Sequence, residues 1–307
     1  MRIVRRSTIF TTLVVALAIG GGVGIIGAQA APWGGWVGLA PAVIIVLWGF
    51  RGAFRRWRVS QQRFPKRWRE WLQSHVPLYQ RLDAEAAREF ERDVQFAMKE
   101  YSFEGVRGVK VTDDLRLSVA TGIAVLLHGR PTWELPGSNS VLFYPGRFDD
   151  DYYGGSREAA YDGMAHQQGP IILTAASAEH SWTHPDDGDN VVLHELAHLL
   201  DFDNEGADGV PSLVAPESAG EWQALVRTEM KRVRQRESIL RPYAAEAPSE
   251  FFAVAVEAFF EQPTQMANEH PELYQALVAF FHLDPRTGRR TATPEGLRSE
   301  SEAEEAT

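Results

Sequence analysis

Cysteine is missing from the whole of this 307-residue chain. That absence excludes a disulfide framework, a thiol nucleophile, an iron–sulfur centre and any Cys-ligated zinc. A metal site must therefore be built from His, Asp and Glu. Acidic residues are nearly missing from the first 70 positions, where Glu70 stands against 11 Lys and Arg. The remaining 20 basic and 40 acidic residues lie in 71–307, a net charge of −20. A body so acidic repels phosphates, so nucleic acid is not an expected partner. With 9 Trp, 16 Phe and 44% apolar residues, the chain has enough material for one large core plus appendages.

Charge is also missing from two N-terminal runs. Residues 9–28, IFTTLVVALAIGGGVGIIGA, are long enough as a helix to span a bilayer core. Residues 36–50, WVGLAPAVIIVLWGF, form a shorter second run, and the linker between them has neither Lys nor Arg. Arg2, Arg5 and Arg6 precede the first run; Arg51, Arg55, Arg56 and Arg58 follow the second. The positive-inside rule then gives a hairpin with both ends in the cytoplasm, and Trp33 and Trp36 suit the far interface. The expected organisation is a membrane anchor over 1–58, a catalytic domain over 59–285 and a disordered acidic tail over 286–307. The expected location is the inner or plasma membrane of a bacterium, with the catalytic domain cytoplasmic. A cleaved signal peptide ending near Ala28-Gln29-Ala30 is the alternative for the first run, and a buried helix for the second.

The body reads as α+β, with strands early and helices late. Apolar spacing predicts helix through 65–101, a loop at 102–108, a short strand at 109–112 and a buried helix over 113–127. Strands are expected at 140–144, which stops at Pro145-Gly146, and at 170–174. The polar, Gly-rich stretch 147–168 reads as a strand pair or a flap. Helices are expected over 189–202, 218–236, 248–262 and 271–283.

Within the first of these helices, His194-Glu195-Leu196-Ala197-His198 carries the HExxH spacing. Two histidines four residues apart share one helix face and can hold one Zn²⁺ between them. Glu195 sits beside that face, placed to take a proton from a metal-activated water. A hydrolytic zinc needs a third protein ligand. The variant with a Gly and a third His on the following turn is excluded, because those positions are Asp201 and Asn204. Downstream, Glu250 and Glu257 lie seven residues apart on one helix face within an apolar run, and either suits the third position. Tyr243 is a candidate hydrogen-bond donor to the oxyanion of hydrolysis.

These segments, taken in order, are specific. VVLHELAHLLD is followed by ADGVP (207–211), Trp222, Tyr243-Ala244-Ala245, Glu250-x-Phe252-Ala253-Val254 and Asp284-Pro285. Upstream lie VLFYPG (141–146) and GPIIL (169–173). Over about 60–285 the chain resembles the Mlc titration factor A (MtfA) family of zinc metallopeptidases. The resemblance implies a zincin-like fold related to the catalytic domain of anthrax lethal factor. It implies one Zn²⁺ per chain held by His194, His198 and Glu250, with Glu195 as general base and Tyr243 assisting the transition state. The membrane hairpin and the acidic tail depart from the family's soluble, shorter members.

The function expected is a membrane-anchored zinc peptidase acting on a peptide or protein substrate. Residues 170–174 are the strand expected to receive that substrate edge-on. The alternative is a binding protein that sequesters a transcriptional regulator, with zinc structural or secondary. An HExxH helix inside the membrane is excluded by Asp201, Asp203, Glu205 and Asp208, which follow the motif directly.

Overall fold

The computed structural model describes residues 1, 3–4, 6–31, 33–146, 163–164, 169–201 and 219–291. The chain divides into two compact units, Met1–Arg63 and Phe64–Thr307.

The first unit is a helical hairpin: α1 (Arg6–Ala30), a 3₁₀ turn (Gly34–Gly38) and α2 (Leu39–Ser60). Small residues let the two helices touch. A Cβ on Gly27 would collide with the carbonyl oxygen of Gly34, and one on Gly20 would lie 2.7 Å from Cβ of Ala42. Close backbone approach through Gly and Ala is how two apolar helices pack tightly along their length. Thr8–Ala30 and Gly34–Ser60 are each long and apolar enough to cross a membrane. Phe10, Leu17, Ile26, Ile44 and Leu47 point outward and are exposed. The reading of the second run as a buried helix therefore fails.

The second unit mixes helix and sheet. It begins with α3 (Lys66–His75), α4 (Pro77–Arg81) and α5 (Ala84–Glu100). One helix was expected over 65–101; Pro77 and the Asp83 cap, which accepts from the N–H of Glu85 and Ala86, cut it into three. Next come β1 (Ser102–Gly105), α6 (Asp113–Leu127), β2 (Ser140–Tyr144), β3 (Gly163–Met164) and β4 (Ile171–Thr174). Among the described residues the sheet order is β1-β2-β4-β3. β1, β2 and β4 run parallel, and β3 is antiparallel at the edge, with Met164 opposite Ile172.

Two strand expectations are corrected. SFEG (102–105) forms the strand and VKVT (109–112) does not. β1 is an edge strand with little to bury, so its apolar pattern is faint. And β4 is flanked on both sides, by β2 and β3, so 170–174 is not the free edge. Of the 147–168 stretch, only 163–164 lie among the described residues.

After β4 the chain forms α7 (Ala175–His180), α8 (Val191–Asp201), α9 (Ala219–Arg234), a 3₁₀ turn (Pro242–Ala245), α10 (Pro248–Glu261), α11 (Pro263–Glu269) and α12 (Pro271–Phe281). The last three helices each start on proline, where the missing N–H costs nothing. A small hairpin, β5 (Leu283–Asp284) with β6 (Arg289–Arg290), carries the folded chain past 285, where the tail was expected to start. Residues 292–307 lie outside the described residues.

α8 runs through the core. On one side α6 comes so close that a Cβ on Gly122 would stand 2.7 Å from Val192 and 2.8 Å from Leu196. On another, α10 packs against it with Phe251, Phe252 and Phe259 wholly buried. Each such ring contributes roughly 2–3 kcal/mol of burial. That is enough to hold α10 in place even though it drags two carboxylates, Glu257 and Glu261, into the interior.

Candidate metal centre

Asn190 starts α8. Its side-chain oxygen accepts the N–H of Leu193 at 2.9 Å, and its carbonyl accepts that of His194. The helix then presents His194 and His198 together. Their Nε2 atoms are 3.2 Å apart. Glu250, in the first turn of α10, brings Oε2 to 3.1 Å from Nε2 of His194 and 3.5 Å from Nε2 of His198. Three donor atoms thus form a nearly equilateral triangle. Donors held about 2.0–2.1 Å from a tetrahedral zinc lie about 3.3–3.4 Å apart, so the triangle matches one face of such a site.

Glu257 takes a different position. Its side chain is fully buried, and Oε1 lies 2.8 Å from Nδ1 of His194. An ionised carboxylate only accepts, so Nδ1 carries a hydrogen and Nε2, facing Glu250 and His198, is the nitrogen a metal would take. Burying a lone carboxylate costs several kcal/mol. Glu257 is compensated by Nη2 of Arg241 at 2.6 and 2.8 Å and by the N–H of Asn190 at 2.6 Å. Arg241 is anchored in turn by Asp189 at 3.1 Å. The seven-residue spacing places both glutamates on the histidine side of α10, one at each nitrogen of the same ring.

The electrostatics favour a cation. Glu195, Glu250, Glu257 and Asp189 bring four carboxylates against the one guanidinium of Arg241, and a dication offsets two of the three excess charges. Burial disfavours the imidazolium of His194, but hydrogen bonds to Glu250 and Glu257 more than reverse this and hold its pKa up to about 10. Those two anions favour a metal cation at the same place. Burial opposes the charge on Glu250, yet the two histidines hold its carboxyl well below the usual range. Glu195 is buried beside them, and burial raises its pKa against the opposing pull of His194 and His198. Tyr243 sits in the 3₁₀ turn before α10, its ring 5.8 Å from that of His194. Burial, then the Glu250 anion, raises its pKa, so it stays a neutral donor at pH 7.

The expected residues therefore meet in one place: His194, Glu195, His198, Tyr243 and Glu250. Asn190 and Arg241 were not anticipated. Asn190 had a signal, a capping residue directly before an apolar helix. Arg241 had none.

A profile of the glucose-regulated metallo-peptidase M90 family matches residues 51–282. The chain belongs to that family. The M90 match runs from within α2 to His282 and so includes every residue of the centre. Among its relatives is Mlc titration factor A of Yersinia enterocolitica, 30% identical over 75% of this chain and 90% of the relative. The protein of the same name from Serratia proteamaculans is 30% identical over the same shares. An uncharacterized protein of Synechocystis, slr2042, is 27% identical over 79% of this chain and 94% of its own length. Family membership makes the chain a metallopeptidase by kind.

Proposed function

We propose that this protein is a zinc-dependent peptidase of zincin-like architecture, anchored in a bacterial membrane by α1 and α2 with its catalytic unit in the cytoplasm. The observation that carries the reading is the donor triangle of His194, His198 and Glu250, with Glu195 beside it. A bound Zn²⁺ would polarise the scissile carbonyl and lower the pKa of a water toward ~7. Glu195 accepts the proton of the attacking water as its oxygen bonds to the carbonyl carbon. It then delivers that proton to the departing amine nitrogen as the C–N bond breaks. The raised pKa of Glu195 suits both transfers. Tyr243 donates its O–H to the developing oxyanion. Glu257 fixes the tautomer and tilt of His194, and Arg241 fixes Glu257.

Among the described residues the sheet edge beside α8 is that of β3, and main-chain pairing there would lay an extended peptide across the centre. For the anchor, the exposed apolar faces of α1 and α2 suit lipid and not water. The arginines flanking the hairpin favour both ends inside. Two relatives are named Mlc titration factor A, which links them to the regulator Mlc. Sequestering a regulator of that kind is the second reading, and it has that name alone in its favour.

The test is Glu195→Gln in the full-length chain, assayed on a peptide library with metal content measured in parallel. The peptidase reading expects zinc retained and turnover down at least about 10²–10⁴-fold. Unchanged turnover would remove Glu195 from the chemistry. Binding of a regulator that survives the substitution, with no turnover in either form, would favour sequestration.

A further inference from the structure

A second cluster of metal-ligating side chains stands outside the centre. His180, at the end of α7, and His184 and Asp187, in the loop entering α8, are all exposed, and their ligand atoms lie within 4.8 Å of one another. The two imidazole rings are 5.0 Å apart. What distinguishes this cluster from scattered surface histidines is Thr183. Its Oγ1 donates to the carbonyl of His180 at 2.7 Å. A hydroxyl has one hydrogen and two lone pairs. With its hydrogen spent, Oγ1 can only accept from Nδ1 of His180 at 3.3 Å and Nδ1 of His184 at 3.2 Å. Each ring therefore carries a hydrogen on Nδ1, which in the neutral form leaves the Nε2 lone pair for a ligand. That is the form in which imidazole binds a metal.

We propose that His180, His184 and Asp187 form an outer site for a divalent transition metal, Zn²⁺ by ligand type, separate from the His194–His198–Glu250 centre. Two imidazoles and one carboxylate, with solvent completing the shell, suit zinc or copper and not the oxygen-seeking Mg²⁺ or Ca²⁺. The three side chains are exposed and, among the described residues, held only by Thr183 and the N–H of Asp189, so a modest adjustment brings the donors to bonding separation. Occupancy would tie the end of α7 to the loop 184–190. That loop already rests on α10: the Gly188 N–H donates to Glu261 at 3.0 Å, and Gln262 donates to the carbonyl of Asp186 at 2.9 Å. Asp187 Oδ1 accepts the N–H of Asp189 at 2.9 Å, which leaves Oδ2 for the ion.

The experiment counts zinc on full-length, tag-free protein in detergent, stripped of metal and titrated against a chromogenic chelator. The wild type is compared with the double variant His180→Ala/His184→Ala. The proposal expects the variant to bind one zinc fewer per chain, with unchanged fluorescence from buried Trp182. Equal counts overturn it. A drop from one to none would uphold the outer site while removing the zinc assigned to the inner one, so the two readings fail separately. Asp187→Asn gives a second arm that disturbs the fold least. Outer-site affinity at least tenfold weaker supports the three-ligand site, and unchanged affinity overturns it.

Discussion

Two triads of the same kind lie close together in this chain, with seven positions from Asp187 to His194. Each pairs two histidines four positions apart with one carboxylate. His194, His198 and Glu250 are sunk between α8 and α10, while His180, His184 and Asp187 sit on the surface. The difference lies in what stands behind the ligands. The inner triad rests on Glu257, Arg241 and Asn190, each held by further bonds. In the outer triad one threonine hydroxyl holds both histidines, and one backbone N–H holds Asp187. Preorganisation of that kind separates a ligand set fit for catalysis from one fit only for binding.

The contrast can be broken at its strongest point first. Glu257→Gln should weaken zinc binding about 10–100-fold, because the ring of His194 loses its anchor. It should also destabilise the fold by about 2 kcal/mol, below the usual cost for a severed buried pair because Arg241 is partly exposed. Equilibrium zinc titration and urea unfolding read the two effects; wild-type affinity would show that the anchor is dispensable. Asn190→Ala removes a helix cap and bonds to Ser181 and Glu261, so a loss of about 2 kcal/mol is expected in the same unfolding assay. Tyr243→Phe should lower turnover about 10–100-fold with zinc content unchanged. Lost zinc instead would make Tyr243 a support for Glu250.

Glu261 sharpens the contrast through pH. Burial, opposed by the Asn190 hydrogen bond, raises its pKa to about 8, from 4.5 in the unfolded chain. Between these values the folded form holds a proton that the unfolded form has released. Stability from this group is therefore full below pH 4.5 and declines as pH rises toward 8. Glu261→Gln should flatten that decline in unfolding midpoints taken from pH 5 to 8. The smallest effect belongs to the outer triad: His180→Ala should change metal-free stability by no more than about 0.5 kcal/mol. A larger loss would mean that the cluster is structural.

Much of the centre was legible because its spacing is local. HExxH needs one helix, and an apolar run around His194 and His198 announces that helix. Telling Glu250 from Glu257 was not possible from spacing alone. Both share a face, and only the crossing of α8 and α10 decides which carboxylate meets which nitrogen. Arg241 was invisible for the same reason: its partners, Asp189 and Glu257, come from two other segments. In the fold, long buried elements such as α6 and α10 read clearly. β1 did not, since an exposed edge strand carries hardly any apolar alternation. The role of β4 was misjudged because sheet order depends on where the short strand β3 returns.

The most direct test of the account is the metal content of the full-length protein in the His180→Ala/His184→Ala background, with and without Glu250→Ala. This background removes the outer triad, so each zinc counted belongs to the inner one. The account predicts one zinc per chain, lost when Glu250 is replaced. No zinc in the folded protein, or one zinc that persists without Glu250, would contradict it.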